Sequence, residues 1–291
     1  MNNLWTWFLL AISLMAISEK SIPTSPQESD VMLVAVLHDT RTLGLAPEKE
    51  NAKGTAFVEP LARLTPSGEW RSLPCFADRD GKQYAATQQE DCSKFARAYL
   101  SKPHTYTVVS ADGRGATVNA QPVELDECLN YTEKGTYSGA SIGTSAIGAS
   151  SGDFFSDSPA PQLLSSTEAK PFLSAFAAVV PGGLDSTSHL RAFSVRLEGQ
   201  QLTLVQRAYV EPPGTKLIFA IGKMDQDVFQ ILHWKENVGD EDEVVVGLIH
   251  LTNGRDFLIT TVTDPEGQWF RVYGIRQRKL VMVYSGGGSS C

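Results

Sequence analysis

Between residues 190 and 284 the chain passes through eight segments of strand character, joined by connections too short to allow parallel neighbours. The segments are 190–198, 202–210, 216–221, 228–234, 244–252, 257–264, 269–275 and 280–284. In the first, Phe193, Val195 and Leu197 alternate with Ser194, Arg196 and Glu198, which gives one buried and one wet face. The connections read "GQQ", "PPGT", "MDQD", "NGRD", "DPEG" and "RQRK", rich in turn residues. Asn253-Gly254 is a strong hairpin signal in its own right. A parallel crossover needs about a dozen residues or more, so an antiparallel meander is dictated. Such a meander ends as a closed barrel, a sandwich or two four-stranded propeller-type blades. A barrel or strongly curled sheet is the expectation here.

The first part of the chain mixes strand and helix signals. Residues 31–37, "VMLVAVL", form a continuous apolar run that suits a buried strand. Residues 55–64 and 69–73 read as two more strands around "TPSG", with Pro60 predicting an edge strand or a bulge. Thr87-Gln88-Gln89-Glu90 fits a capping box, after which Cys92, Phe95, Ala96 and Tyr99 fall on one helical face. A hairpin around Asp112-Gly113 follows. The pattern is β-β-β-α-β-β, and the fold class expected for the whole chain is α+β, mainly antiparallel β.

The expected organisation runs in six parts. A signal peptide (1–18) and a loose leader (19–30) precede an N-terminal α+β module (31–130). A Ser/Gly-rich linker with a short helix (131–188) leads to the C-terminal β module (189–286) and a tail (287–291) ending in cysteine. The short helix is placed at 170–180, with Pro171 in its first turn. Export rests on residues 4–17, "LWTWFLLAISLMAI", apolar and uncharged, followed by the small-x-small pattern Ala16-Ile17-Ser18. The run is shorter than the roughly twenty residues of a membrane span. No later segment is long and apolar enough to cross, so the mature chain is expected to be secreted or periplasmic.

Charge narrows the partners. With a net charge of −8 and a pI near 5.2, the chain lacks the basic face that nucleic acid or an anionic membrane demands. An oxidising destination favours disulfides among Cys75, Cys92, Cys128 and Cys291, which show no metal-finger spacing. Cys75–Cys92 would close a short polar loop between a strand end and the helix start. Cys128–Cys291 follows partly by elimination, the glycine-rich tail reaching back to the first module.

Candidate chemistry is sparse. Gly139-Ala140-Ser141-Ile142-Gly143 spells the G-x-S-x-G of a nucleophile elbow, which requires a buried strand before the serine and a helix after it. Polar residues precede Ser141 and a Ser/Gly-rich stretch follows, so a chance match in a linker is the favoured reading. Asp78-Arg79-Asp80-Gly81 recurs in calcium loops, but the required first and twelfth ligands would fall on Phe76 and Thr87. The run "GDEDE" at 239–243 reads as a wet loop, and the five histidines are scattered singly. No metal or cofactor is expected.

One constellation suits binding. Trp269, Arg271 and Tyr273 share a face of segment 269–275, and Gln230 and Trp234 share a face of segment 228–234. Aromatic rings mixed with Arg and Gln suit sugars or planar ligands; the plain alternative is cross-strand packing. The expected function is therefore that of an exported, non-catalytic protein with a binding or structural role, its ligand a carbohydrate or a small apolar molecule. A hydrolase using Ser141, or a carrier enclosing an apolar ligand in a C-terminal barrel, are the alternatives.

Overall fold

The computed structural model describes residues 32–39, 54–73, 90, 94–95, 103–110, 114–121, 133–143, 145–157, 160–179, 190–207, 217–237, 242–264 and 267–290. Residues 1–31, the Asp112-Gly113 turn, residues 78–81 and all four cysteines lie outside them, and with them the expected leader, calcium-like loop and disulfides.

Six strands close a barrel. They are β1 (Met32–Asp39), β2 (Thr55–Leu64), β4 (His104–Val108), β5 (Thr117–Gln121), β6 (Glu133–Ser138) and β7 (Ser145–Ala149), in the order β1-β7-β4-β5-β6-β2, with β2 returning to β1. A short β3 (Trp70–Arg71) extends β2. Every pairing is antiparallel. Pro60 sits where the β1–β2 register shifts, so the bulge anticipated from the proline is there, opposite Ala35. Alternation buries both faces of β1. Leu33, Ala35 and Leu37 join the barrel interior, while Val34 and Val36 join a second cluster outside it.

Two of these strands correct the sequence reading. Residues 133–138 and 145–149, expected as structureless linker, are β6 and β7. Their small residues answer to crowding. A Cβ on Gly148 would come within 2.7 Å of Leu37 Cδ1 and 3.1 Å of Tyr106 Cβ, and one on Gly135 within 2.7 Å of Val118 Cγ1. Glycine here marks close approach in a small barrel. Of the expected helix at 88–100, Glu90, Lys94 and Phe95 are helical, and Phe95 is buried in the barrel cluster beside Leu33 and Ala35.

The eight C-terminal strands are all present, as β9 (Leu190–Leu197), β10 (Gln200–Arg207), β11 (Leu217–Asp225), β12 (Val228–Asn237), β13 (Asp242–His250), β14 (Asp256–Asp264), β15 (Gly267–Arg276) and β16 (Lys279–Ser290). They do not close as one barrel. The meander parts between β12 and β13 into two four-stranded antiparallel sheets, β9–β12 and β13–β16; a two-residue β8 (Gln162–Leu163) is added to the first at β9. Hairpin turns at Gln226-Asp227 and Gln277-Arg278 hold both residues at positive φ, as does Glu198-Gly199, in the sense that matches strand twist.

The helix α1 (Ser166–Val179) begins four residues before the expected start. Ser165 and Glu168 form a reciprocal capping box: the Glu168 amide donates to Ser165 Oγ at 3.3 Å, and the Ser165 amide donates to Glu168 Oε2 at 2.9 Å. Phe176 of α1 packs with Val205, Ala220 and Phe229 on the outer face of β9–β12.

The layers stack in order: helix α1, sheet β9–β12, sheet β13–β16, barrel. Between the two sheets lie Val195, Leu204, Phe219, Leu258 and Tyr273 among others; between β13–β16 and the barrel lie Val34, Leu61, Ile249, Phe257 and Phe270. A polar clamp supplements this packing. Arg255, in the β13–β14 turn, donates to the carbonyls of Ser67 and Gly68 at 2.9 and 3.0 Å, and Asn253 Nδ2 donates to Pro66 O at 2.8 Å. Residues Val31–Cys291 thus form one compact unit.

Candidate functional site

Strand alternation on three neighbouring strands places Glu243, Thr260, Arg271 and Tyr273 on the side of β13–β15 that meets the other sheet. Glu243 lies in β13 and is 2% exposed, which corrects its reading as part of a wet loop. Arg271 Nη1 donates to Glu243 Oε2 at 2.7 Å. Tyr273 OH and Thr260 Oγ1 both donate to Glu243 Oε1, at 2.7 and 2.8 Å. Across the sheet interface, His233 Nε2 lies 3.3 Å from Tyr273 OH. Burial, followed by the adjacent Glu243 carboxylate, pushes ionisation of the Tyr273 phenol far above its ordinary range. The Glu243 carboxylate is held by three donors from β14 and β15 in a dry setting, which ties the three neighbouring strands of this sheet together.

The structure brings together three of the five residues expected to bind. Trp269, Arg271 and Tyr273 do share a face, with the Arg271 guanidinium carbon 5.9 Å from the Trp269 ring centroid. Trp234 and Gln230 part company. The register of β11 and β12 shifts between Ile221 and Gly222, so that Leu232 is the extra residue and alternation inverts there. Trp234 therefore sits with Phe229 and Ile231 on the helix side, 5.6 Å from the Phe176 ring. Gln230 points the other way, exposed, and donates to Asp225 Oδ2 at 2.9 Å. The five side chains form no common platform.

Ser141 lies exposed in the loop between β6 and β7, where its Oγ accepts the Gly143 amide at 3.3 Å. A strand, not a helix, follows it, so the elbow geometry is missing. A second histidine is better oriented. His250 Nδ1 and Asp256 Oδ1 are 2.8 Å apart and buried, and Asp256 Oδ2 also accepts the Glu198 backbone amide. His250 Nε2 is buried with no hydrogen-bond partner among the described residues. Among those residues no group of three or more His, Cys, Asp or Glu side chains is placed to hold a metal ion.

The three β structures leave a gap where they meet. A partly open cavity of about 160 Å³ is bounded by Ser110 and Ser145 from the barrel, Phe193 and Gln206 from sheet β9–β12, and Val245 and Leu248 from sheet β13–β16. Its cause is local: the β13–β14 register shifts between Val245 and Gly247, leaving Val246 as the extra residue, and Gly247 puts no side chain into the space. Gln206 Oε1 is buried and has no hydrogen-bond partner among the described residues. Polar side chains, Ser110, Ser145 and Gln206, alternate with apolar ones along the cavity walls. Val245 and Glu243 share a face of β13 two positions apart, so the ion-pair cluster buttresses one wall. Sequence reasoning missed the cavity because its walls come from strands distant in the chain. An arginine in the middle of an otherwise apolar strand could have announced the need for a buried carboxylate.

No protein-family model, no curated protein and no solved structure matches this chain.

Proposed function

We propose that the chain is an exported, non-catalytic protein that binds a small ligand where its barrel and two sheets meet. The partly open cavity at that junction, lined by both polar and apolar side chains, carries the reading. Two further points support it. The most deeply buried carboxylate among the described residues, Glu243, has its oxygens committed to Arg271, Tyr273 and Thr260, which leaves it unsuited to act as a general base. The interface between the two C-terminal sheets is filled by Val195, Leu204, Phe219 and Tyr273, which argues against a hollow C-terminal carrier barrel. Support for export is the apolar run at 4–17 followed by the small-x-small pattern Ala16-Ile17-Ser18.

The test is a thermal-shift screen of small neutral compounds on the mature chain, run in parallel on Gly247→Val. A side chain at 247 would start 3.4 Å from Ile147 Cγ1 and 3.7 Å from Ser110 Cβ, ordinary contacts, and would extend into the space. Compounds that raise Tm in the wild type and not in the filled variant support the reading. Shifts that survive the filling place binding elsewhere and overturn it. The hydrolase alternative is tested by a fluorophosphonate probe: labelling that Ser141→Ala abolishes would establish a nucleophile there.

A further inference from the structure

One wall of the cavity is the edge of a strand. β13 is an outer strand of its sheet, paired with β14 on one side only. Along an antiparallel strand, one residue turns its amide and carbonyl to the partner and the next turns them away. The Leu251 amide donates to Arg255 O at 2.8 Å, toward β14. His250 O, one residue back, accepts the Ser156 amide at 2.8 Å on the opposite edge. The register runs unbroken from His250 to Gly247, so alternation turns the Leu248 amide and carbonyl to the same outer edge as those of His250. Leu248 bounds the cavity, and among the described residues neither of these groups has a hydrogen-bond partner.

The chain itself begins a strand on this edge and abandons it. Phe154 O accepts the Thr252 amide at 2.9 Å, Phe155 bridges Leu251 in the antiparallel sense, and the Ser156 amide meets His250. The next step of that ladder would reach Leu248. The sequence there is Asp157-Ser158-Pro159-Ala160-Pro161, and proline has no N–H to donate. Ala160 and Pro161 bound the cavity instead. Natural edges are commonly blunted by charge, yet residues 244–249, "VVVGLI", carry none. The extra residue at Val246 interrupts the strand, which confines pairing by a newcomer to Leu248.

We propose that the outer edge of β13 at this junction takes up a short extended peptide, its main chain paired with the Leu248 amide and carbonyl and one small side chain in the cavity. This rests on the binding reading given above and adds the ligand class to it. In strand addition, main-chain hydrogen bonds supply affinity and a pocket beside the edge selects the side chain. At about 160 Å³ the cavity has room for one such side chain. Ser110 and Ser145 facing Val245 suit a side chain with both polar and apolar surface, such as threonine.

The probe is the blocked tripeptide acetyl-Val-Thr-Val-amide, titrated into the full mature chain and followed by amide chemical shifts and hydrogen exchange. In the free chain the Leu248 amide should exchange far faster than that of Ile249, which is turned to β14. Saturating peptide should slow Leu248 by about tenfold or more. Of the three singly N-methylated analogues, at least one should bind about tenfold more weakly, the loss expected of one buried hydrogen bond. Gly247→Val should weaken the parent peptide by about tenfold or more.

The failures are separable. If all three analogues bind as the parent does, main-chain pairing is wrong. If the Leu248 amide is already protected without peptide, the edge is occupied, by a second copy where the chain sediments as a dimer, and the proposal falls. Peptide binding that survives Gly247→Val lies elsewhere and overturns it too. If the tripeptide does not bind while compounds in the thermal-shift screen still distinguish the wild type from Gly247→Val, the peptide class is wrong and the binding reading stands. If neither peptide nor compound binds, both fall.

Discussion

Replacing Glu243 by methionine should be among the most damaging single changes in the chain, and replacing Arg271 as well should undo much of the damage. The Glu243 side chain is fully buried and that of Arg271 is 9% exposed, with 2.7 Å between nitrogen and oxygen. Glu243→Met takes the carboxylate countercharge from a buried guanidinium, and breaking a buried pair from one side costs about 3–5 kcal/mol. For a domain of this size that is a fall in Tm of roughly 6–20 °C. Tyr273 and Thr260 lose their acceptor too, but each has a fallback: His233 Nε2 lies 3.3 Å from the phenol, and Arg271 O lies 3.4 Å from the Thr260 hydroxyl. In Glu243→Met/Arg271→Met the stranded charge is gone and two flexible apolar chains fill the volume, so the net loss should drop to about 1–2 kcal/mol. The assay is urea unfolding of all three variants followed by tryptophan fluorescence, with Trp269 beside Arg271 as a local reporter. A double variant at least as unstable as Glu243→Met, or a single variant losing under about 1 kcal/mol, refutes the reasoning.

Three other outcomes are expected. Phe95→Ala should cost about 3–5 kcal/mol in chemical unfolding, because Phe95 is 6% exposed against Leu33, Ala35 and Tyr106. Glu198→Asn should stabilise the protein by about 0.5–1 kcal/mol near neutral pH, since Asn-Gly suits the positive φ angles of that turn. The gain should shrink in acid: burial raises the Glu198 pKa, so the native carboxyl favours folding while protonated and loses that contribution as pH rises through its folded pKa. A gain that grows as pH falls would contradict the sign. Non-reducing peptide mapping of the mature chain should recover Cys75 joined to Cys92 and Cys128 joined to Cys291; a Cys75–Cys128 peptide overturns the pairing.

What the sequence revealed and what it hid follow one rule. Short connections speak for themselves: the eight C-terminal strands, and their antiparallel pairing, could be read because each turn admits one geometry. The division between β12 and β13 could not, since a nine-residue connection fits a paired or a parted neighbour equally. β6 and β7 were concealed by their own packing, because Gly135 and Gly148 give up the β-branched side chains that mark a strand so that Val118, Leu37 and Tyr106 can close in. The extra residue at Leu232 separated Gln230 from Trp234, since alternation read along a strand assumes no bulge. The start of α1 is a different case. Ser165 and Glu168 carried the capping signal in plain view, and Pro171 drew attention to a later start. The cavity needed all three β structures at once, which no pattern local to the chain records.

The central claim is that binding occurs at the three-sheet junction, and amide chemical-shift mapping tests it most directly. A compound that raises Tm in the thermal-shift screen, titrated into isotope-labelled mature chain, should move the signals of Ser145, Phe193, Gln206 and Gly247 together, with one affinity, and leave the Ser141 loop and the exposed Gln230 untouched. Shifts that centre on Trp234 and Trp269, or none at saturating ligand, would contradict it.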